Sequence, residues 1–201
     1  MITQSANWVN QSGNGYAINT GFNDESLMRI ELLQLEIKNK FPALIWPTPS
    51  DALHISLMDM VSPFIDYERD KNEIFLELFR RHDNILQGIF RYEKRFYIKA
   101  SEIEVTPAAI IIVWEDDGHF NKLRGKFLEN TAPFPGTKQP PDITFTTIAR
   151  YRKDGADLAE LEKFLAGKNI DVIEKVNTFR LVREKVVPMI RYEIIKIYKL
   201  S

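Results

Sequence analysis

The 201-residue sequence predicts an α+β fold, and two observations support that class. Apolar residues recur at helical spacing in some segments and form short, strand-like runs in others. The glycine-rich turns that open the helices of doubly wound parallel sheets are missing. Aromatic residues, 13 Phe, 7 Tyr and 3 Trp, are spread over the whole length, so no part of the chain is typical of a linker. We therefore expect residues 1–201 to form one domain.

The first half of the chain predicts two helices with a strand between them. Asn23 is a typical N-cap residue, and the apolar residues behind it keep helical spacing until Pro42. A turn rich in proline then leads into a strand predicted over residues 53–60. A second helix is predicted over residues 70–82. The Gly-Asn-Gly run at residues 13–15 is interpreted as a turn.

Strands dominate the second half of the chain. They are predicted over residues 96–99, 103–105, 108–114, 143–151, 172–182 and 190–198. Residues 108–114 show no polar alternation, which is typical of a strand buried on both faces. Helices are predicted over residues 121–129 and 157–165, and Gly167 ends the second of them. Residues 133–141 contain four of the ten prolines and are predicted to form a loop.

Composition excludes several classes of protein. Lys and Arg number 27 against 28 Asp and Glu, so no net positive field attracts nucleic acid or an anionic membrane, and any such contact must be local. The absence of cysteine excludes disulfides, and no His or carboxylate cluster has the spacing of a metal site. The longest apolar stretch is too short for a bilayer, and the first residues lack the pattern of a secretory signal. We expect a cytoplasmic monomer that acts without metal, cofactor or membrane.

A weak internal repeat is the most informative feature of the sequence. Each copy has the form Asp-x-x-ring-x-Ser/Thr-aliphatic. The first copy consists of Asp51, His54, Ser56 and Leu57, and the second, 91 residues later, of Asp142, Phe145, Thr147 and Ile148. Because side chains alternate along a strand, the ring and the hydroxyl share one face and the aliphatic residue lies on the other. Two such strands side by side would present two rings and two hydroxyls to one cleft.

These residues carry a resemblance to a known family. The His-Ile-Ser-Leu run that begins at His54 resembles the first motif, His-x-Ser/Thr-aliphatic, of the two-histidine (2H) phosphoesterase superfamily. The Phe-Thr-Thr-Ile-Ala-Arg run at residues 145–150 resembles its second motif, commonly His-Thr-Thr-Ile-Ala-Arg. The Lys-Gln-Pro-Pro run at 138–141 is similar to the family's sequence before that motif. Residues 179–184 and 188–189 are similar to the closing segment of the bacterial 2′-5′ RNA ligase and cyclic phosphodiesterase-like branch.

The resemblance implies a two-lobed α+β domain with pseudo-twofold symmetry. Antiparallel sheets would surround a central cleft, with helices outside and one motif strand from each lobe. It also implies metal-free chemistry on an RNA or nucleotide end, either opening of a 2′,3′-cyclic phosphate or cleavage of a 2′-5′ linkage. One histidine takes a proton from the attacking oxygen and the other gives one to the leaving oxygen. His54 would be catalytic, Ser56 and Thr147 would bind phosphate oxygens, and Arg150 would add positive potential.

The sequence departs from the family where the second histidine is expected. Phe145 stands there, and phenylalanine neither accepts nor donates a proton. Losing one positioned acid or base typically costs about 10²–10⁴ in rate, so we expect impaired turnover if the chain is an enzyme at all. Phe145 would then either stack on a nucleobase or only pack in the cleft. Two alternatives remain: a non-catalytic module that binds nucleotide or RNA ends, and an interaction protein that keeps only the fold.

Four other side chains are candidate substitutes for the missing histidine. His82 and His119 are predicted to lie at the surface, because neither belongs to a motif strand. Tyr151 and Tyr192 are proton donors in principle, but no pattern assigns them to the cleft.

The remaining charged residues near the motifs give weaker signals. Arg152 and Lys153 are interpreted as a solvated strand end. Arg183 and Glu184 lie near a predicted strand, where they would form structural pairs or, for Arg183, face substrate. Asp51 and Asp142 are expected at turns or strand edges.

Overall fold

The computed structural model describes residues 11–131, 139–153, 155 and 157–201. Within these ranges it contains four α-helices and two antiparallel sheets, so the predicted α+β class is confirmed. Lys138 and most of the loop predicted over residues 133–141 lie outside the described residues. No helix in the described part of the chain is both long enough and apolar enough to cross a membrane.

The helices and strands follow one another along the chain in this way. The helices are α1 (Asp24–Lys40), α2 (Lys71–Arg91), α3 (His119–Asn130) and α4 (Ala159–Leu165), with a 3₁₀ turn at Ser50–Ala52. The strands are β1 (Ser12–Thr20), β2 (Ile45–Pro47), β3 (Ile55–Val61), β4 (Phe96–Val105), β5 (Ala109–Glu115), β6 (Phe145–Tyr151), β7 (Ile173–Val176), β8 (Thr178–Val186) and β9 (Arg191–Lys199).

The two motif strands belong to different sheets. Sheet A has the strand order β3-β1-β8-β9, and sheet B has the order β2-β6-β5-β4-β7. The strand β3, which follows His54, is an edge strand of sheet A, whereas β6 lies between β2 and β5 in sheet B. The two strands contact each other directly, so the motifs meet where one sheet faces the other.

Helix α1 forms as predicted and supports the second motif strand. The side chain of Asn23 accepts a hydrogen bond from the Ser26 N–H at 2.9 Å and so caps the helix. The helix contacts β2 and β6. Within that contact the Gln34 amide donates to the carbonyls of Thr48 and Ile148, at 2.8 and 2.6 Å. These bonds fix β6 beside the helix, one residue after the motif hydroxyl.

Helix α2 is longer than the sequence predicted. The prediction ended it at His82, but the buried residues Leu86 and Phe90 continue the apolar face as far as Arg91. His82 itself is only 3% exposed and packs edge-on against Phe127 of α3. Its predicted position at the surface is therefore wrong. The polar neighbours in the Arg-Arg-His-Asp run suggested a solvated residue, but the His82 side chain faces a second helix.

Three other local predictions need correction. The pair of strands predicted over residues 96–105 is one strand, and the strand predicted over residues 172–182 is divided between β7 and β8. The glycines at residues 13–15 lie inside β1 rather than in a turn. A Cβ atom on Gly15 would lie 2.6 Å from the Pro63 Cδ atom, so this glycine permits a close approach between chain segments.

Side chains of helix α3 form hydrogen bonds to the backbone of both motif segments. Arg124 is buried and donates to the backbone carbonyls of Leu57 and Ser56, at 2.9 and 3.0 Å. Its guanidinium also donates to the Asn121 side chain, whose amide donates to the Asp142 carbonyl at 2.9 Å. The prediction of a turn or edge role for Asp142 agrees with this contact. No periodicity in the sequence indicated that Arg124 would be buried.

Candidate functional site

One pocket lies between the two sheets, with a volume of about 160 Å³. The lining residues include all five positions predicted from the sequence as well as one that was not assigned a role. They are His54, Ser56, Phe145, Thr147, Arg150 and Glu184. The pocket is completed by the turn between β8 and β9, where Pro188 and Met189 lie against it.

The two motif strands present matching faces to this pocket. His54 and Ser56 are half-buried on one wall, as are Phe145 and Thr147 on the other. Leu57 and Ile148 have the opposite orientation, with exposures of 1% and 0%. Strand alternation therefore brings the two rings and the two hydroxyls to one space.

His54 is held in a defined tautomer. Its Nδ1 atom lies 2.7 Å from the Ala52 carbonyl oxygen, which only accepts hydrogen bonds, so Nδ1 carries the proton and Nε2 does not. The pKa of His54 is lowered to about 4, chiefly by burial and also by the charges of Arg180 and Arg150, while the hydrogen bond to the Ala52 carbonyl acts in the opposite direction. At neutral pH the imidazole is therefore uncharged, and its Nε2 is able to accept a proton.

The shifted pKa of His54 makes the stability of the protein depend on pH. The folded state protonates this group near pH 4 and the unfolded state near pH 6.5, so the unfolded state binds more protons between these values. We expect this group to lower the free energy of unfolding by about 2 kcal/mol between pH 7.5 and pH 5. His54→Asn keeps a donor for the Ala52 carbonyl, and this variant should lose the part of the pH dependence of the unfolding free energy that comes from His54. Denaturant titrations at both pH values measure it, and an identical slope in the variant would contradict the prediction.

A basic and an acidic side chain, Arg150 and Glu184, also line the pocket. Burial lowers the pKa of the Arg150 guanidinium to about 10, against the effect of Glu184, so Arg150 stays positively charged at neutral pH. The pKa of the Glu184 carboxyl is raised to about 7, chiefly by burial and also by the nearby Asp59 carboxylate. The Met189 N–H bond and the charge of Arg150 act in the opposite direction.

Glu184 is the site residue that the sequence did not assign. It lies on β8 opposite Gly15 of β1 and is 6% exposed. Its Oε1 atom accepts a hydrogen bond from the Met189 N–H, which ties the carboxyl to the turn between β8 and β9. The sequence predicts Glu184 only in a structural pair, and its place in the 179–184 segment assigns it no role in the site.

The other candidate proton donors do not line the pocket. His119 stacks on Phe96 with ring centroids 4.2 Å apart. The Tyr151 hydroxyl donates to the Thr106 carbonyl at 2.9 Å, and the Tyr192 hydroxyl donates to the Asp51 carbonyl at 3.0 Å. Since the chain has three histidines and His82 is packed in the α2–α3 contact, His54 is the one imidazole of the pocket.

Two further charged candidates also have structural contacts. The Arg183 side chain donates to the Asn14 side chain at 3.2 Å and does not line the pocket. The predicted turn role of Asp51 agrees with its position in the 3₁₀ turn. Among the described residues, no three His, Cys, Asp or Glu side chains converge in the way that a metal site needs.

Comparison with known proteins gives matches to solved structures only. Neither a protein-family model nor a curated protein matches the chain. The TT0787 protein of Thermus thermophilus is 18% identical, with a TM-score of 0.65 over 92% of this chain and 97% of that one. LigT of E. coli, solved in complex with phosphate, is 12% identical, with a TM-score of 0.61 over 95% of this chain and 99% of LigT. The ATU0111 protein of Agrobacterium tumefaciens is 11% identical, with a TM-score of 0.66 over 97% of this chain and 90% of that one.

At such identities the similarity shows a shared fold. The chain has the two-lobed α+β fold of LigT, and a phosphoesterase at 13% identity and a TM-score of 0.65 has it too. The resemblance that the two motifs carry is thereby confirmed at the level of the fold.

Proposed function

We propose that this chain is a 2H phosphoesterase-like protein that acts on 2′,3′-cyclic phosphate or 2′-5′-linked ends of nucleotides or RNA, with turnover reduced by Phe145. The observation that carries the proposal is the convergence of His54, Ser56, Thr147 and Arg150 on one pocket. These residues come from two strands in different sheets, and a phosphate between the strands would contact both walls at once.

The chemistry of the lining suits a phosphate group. The hydroxyls of Ser56 and Thr147 are able to donate to phosphate oxygens from opposite walls, and Arg150 supplies positive charge at the same place. At about 30 Å³ per molecule of liquid water, the pocket has room for roughly five waters. That space accommodates a phosphate with part of its sugar, so a nucleobase would lie at the mouth. LigT has been solved with phosphate and with 3′-AMP, which supports a ligand of this class.

His54 has the properties of a general base. Its uncharged Nε2 would take a proton from an attacking water, while the Ala52 carbonyl holds Nδ1–H and so keeps the ring oriented. In a two-histidine mechanism the leaving oxygen receives its proton from the second motif. Phe145 occupies that position and has no proton to give, which is the reason for the expected loss of rate.

A non-catalytic binding module is the second candidate function. The observation that favours it is the same phenylalanine, since the phosphate-binding residues are complete while one proton-transfer residue is missing. In this case the chain would bind cyclic nucleotides and return them unchanged. Product analysis by chromatography after long incubation separates the two candidates.

The binding part of the proposal is tested by Thr147→Val, which removes one hydroxyl and keeps the side-chain shape. A hydrogen bond to a charged group contributes about 1.5–3 kcal/mol, so we expect 2′,3′-cyclic AMP to bind at least tenfold more weakly, by roughly that amount. Isothermal titration with 2′,3′-cyclic AMP and with inorganic phosphate measures the change. Thr178→Val, on β8 and outside the pocket lining, is the matched control. Equal affinities of wild type and Thr147→Val would contradict the assignment.

A further inference from the structure

The pocket contains a carboxyl group in an unusual place. Glu184 is 6% exposed and shares the lining with Ser56, Thr147 and Arg150, the residues that suit a phosphate. An ionised carboxylate beside a bound phosphate would repel it, and a buried charge of this kind is costly. A neutral carboxylic acid avoids both costs and carries a proton that it can give away.

We propose that Glu184, as a neutral carboxylic acid, gives the leaving oxygen of the substrate the proton that Phe145 cannot supply. This assignment rests on the proposed function of the pocket. It makes Glu184 the acid and His54 the base of the same reaction, one on β8 of sheet A and the other immediately before β3.

The hydrogen bonds of the carboxyl group fit this role. The Oε1 atom accepts from the Met189 N–H, so the acidic proton belongs on Oε2. The Met189 bond orients the carboxyl group, and Pro188 and Met189 cover it from the side of the β8–β9 turn.

The charged groups around Glu184 come from three elements. Asp59 of β3 disfavours the ionised carboxylate, whereas Arg150 of β6 favours it, as does the Met189 N–H. Burial is the largest influence, and it raises the pKa of Glu184 to about 7. Since the pKa of His54 is about 4, the base is uncharged and the acid is protonated together between about pH 4 and pH 7.

The reaction consumes water as its only co-reactant. The oxygen of a water attacks phosphorus while His54 Nε2 takes one of its protons. The bond between phosphorus and one ribose oxygen breaks, its electron pair stays on that oxygen, and the oxygen takes the proton from Glu184. The products are a phosphomonoester, an imidazolium at His54 and a carboxylate at Glu184, and exchange of one proton through solvent restores both side chains.

Glu184→Gln is the decisive substitution. The glutamine amide oxygen can still accept the Met189 N–H, but the amide has no acidic proton. We expect kcat/KM for 2′,3′-cyclic AMP to fall by about 10²–10⁴ and the loss of activity above about pH 7 to disappear from the pH–rate profile. Binding of inorganic phosphate should persist, and an unchanged melting temperature at pH 6 shows that the variant is folded.

A second variant keeps the assignment testable if Glu184→Gln does not fold. Asp59→Asn removes the neighbouring negative charge, so the pKa of Glu184 should fall and the alkaline limb of the pH–rate profile should move to lower pH. A purely structural Glu184 would leave this limb where it was. An unmoved limb in a folded, active Asp59→Asn protein overturns the assignment.

The outcomes separate the role of Glu184 from the proposed function. Turnover by the wild type that Glu184→Gln leaves intact overturns the acid role and keeps the function. If only Phe145→His shows turnover, and adding Glu184→Gln to that variant leaves the rate unchanged, the acid role is again overturned and the function is kept. No turnover in any of these proteins overturns both.

Discussion

Phe145→His should raise the rate of 2′,3′-cyclic AMP opening, by about 10²–10⁴ where Glu184→Gln has removed the acid proposed above. Position 145 is half-buried on β6, faces the pocket and lies 91 residues after His54 in the internal repeat. An imidazole there would protonate the leaving oxygen from the wall opposite His54. Steady-state hydrolysis followed by chromatography of the nucleotide products measures the gain.

The control for this substitution is Phe145→Leu. It removes the aromatic ring without adding a proton donor, so a gain that came only from opening the pocket would appear in both variants. We expect no increase in Phe145→Leu. If Phe145→His in the Glu184→Gln background binds 2′,3′-cyclic AMP and still shows no increase in rate, the inference that Phe145 limits turnover in this pocket is wrong.

His54→Asn should remove the gain when it is combined with Phe145→His. The asparagine amide is able to keep the hydrogen bond to the Ala52 carbonyl, but it cannot accept a proton as Nε2 does. We expect the double variant to lose about 10²–10⁴ in kcat relative to Phe145→His alone. Binding of inorganic phosphate serves as the control, because the proposed phosphate ligands are Ser56, Thr147 and Arg150 and do not include His54.

Retention of the full rate by the double variant would show that another group acts as the base. Such a result would leave the pocket as a phosphate-binding site but would remove His54 from the mechanism. The pH–rate profile offers a second check, since the acid limb should follow the titration of His54 near pH 4.

Strand alternation predicted the two walls of the pocket from sequence. A ring, a hydroxyl and an aliphatic residue at fixed spacing are enough to say which side chains share a face, because this depends only on local backbone geometry. The same pattern does not say that β3 and β6 belong to different sheets. That arrangement depends on contacts between distant segments, such as those of Gln34 with Ile148 and of Arg124 with Leu57.

The pKa of Glu184 and the burial of His82 could not be predicted from the sequence, for a related reason. A pKa depends on burial and on neighbouring charges, and the neighbours of Glu184, Asp59 and Arg150, come from two other strands. The partner of His82 is Phe127, which lies on the next helix, with two strands between them along the chain. Polar residues beside His82 in the sequence suggested a solvated surface, and only the packing of α2 on α3 shows otherwise.

The hydrogen bonds of helix α3 have a consequence for the width of the cleft. Arg124 fixes the backbone of Ser56, and Asn121 fixes the segment just before Phe145, so a single helix on the outer side sets how far apart the two walls stand. The width of the cleft is therefore set by residues that do not line the pocket. Substitutions on this helix should change the width of the cleft and the size of ligand that fits, while every side chain that lines the pocket stays the same.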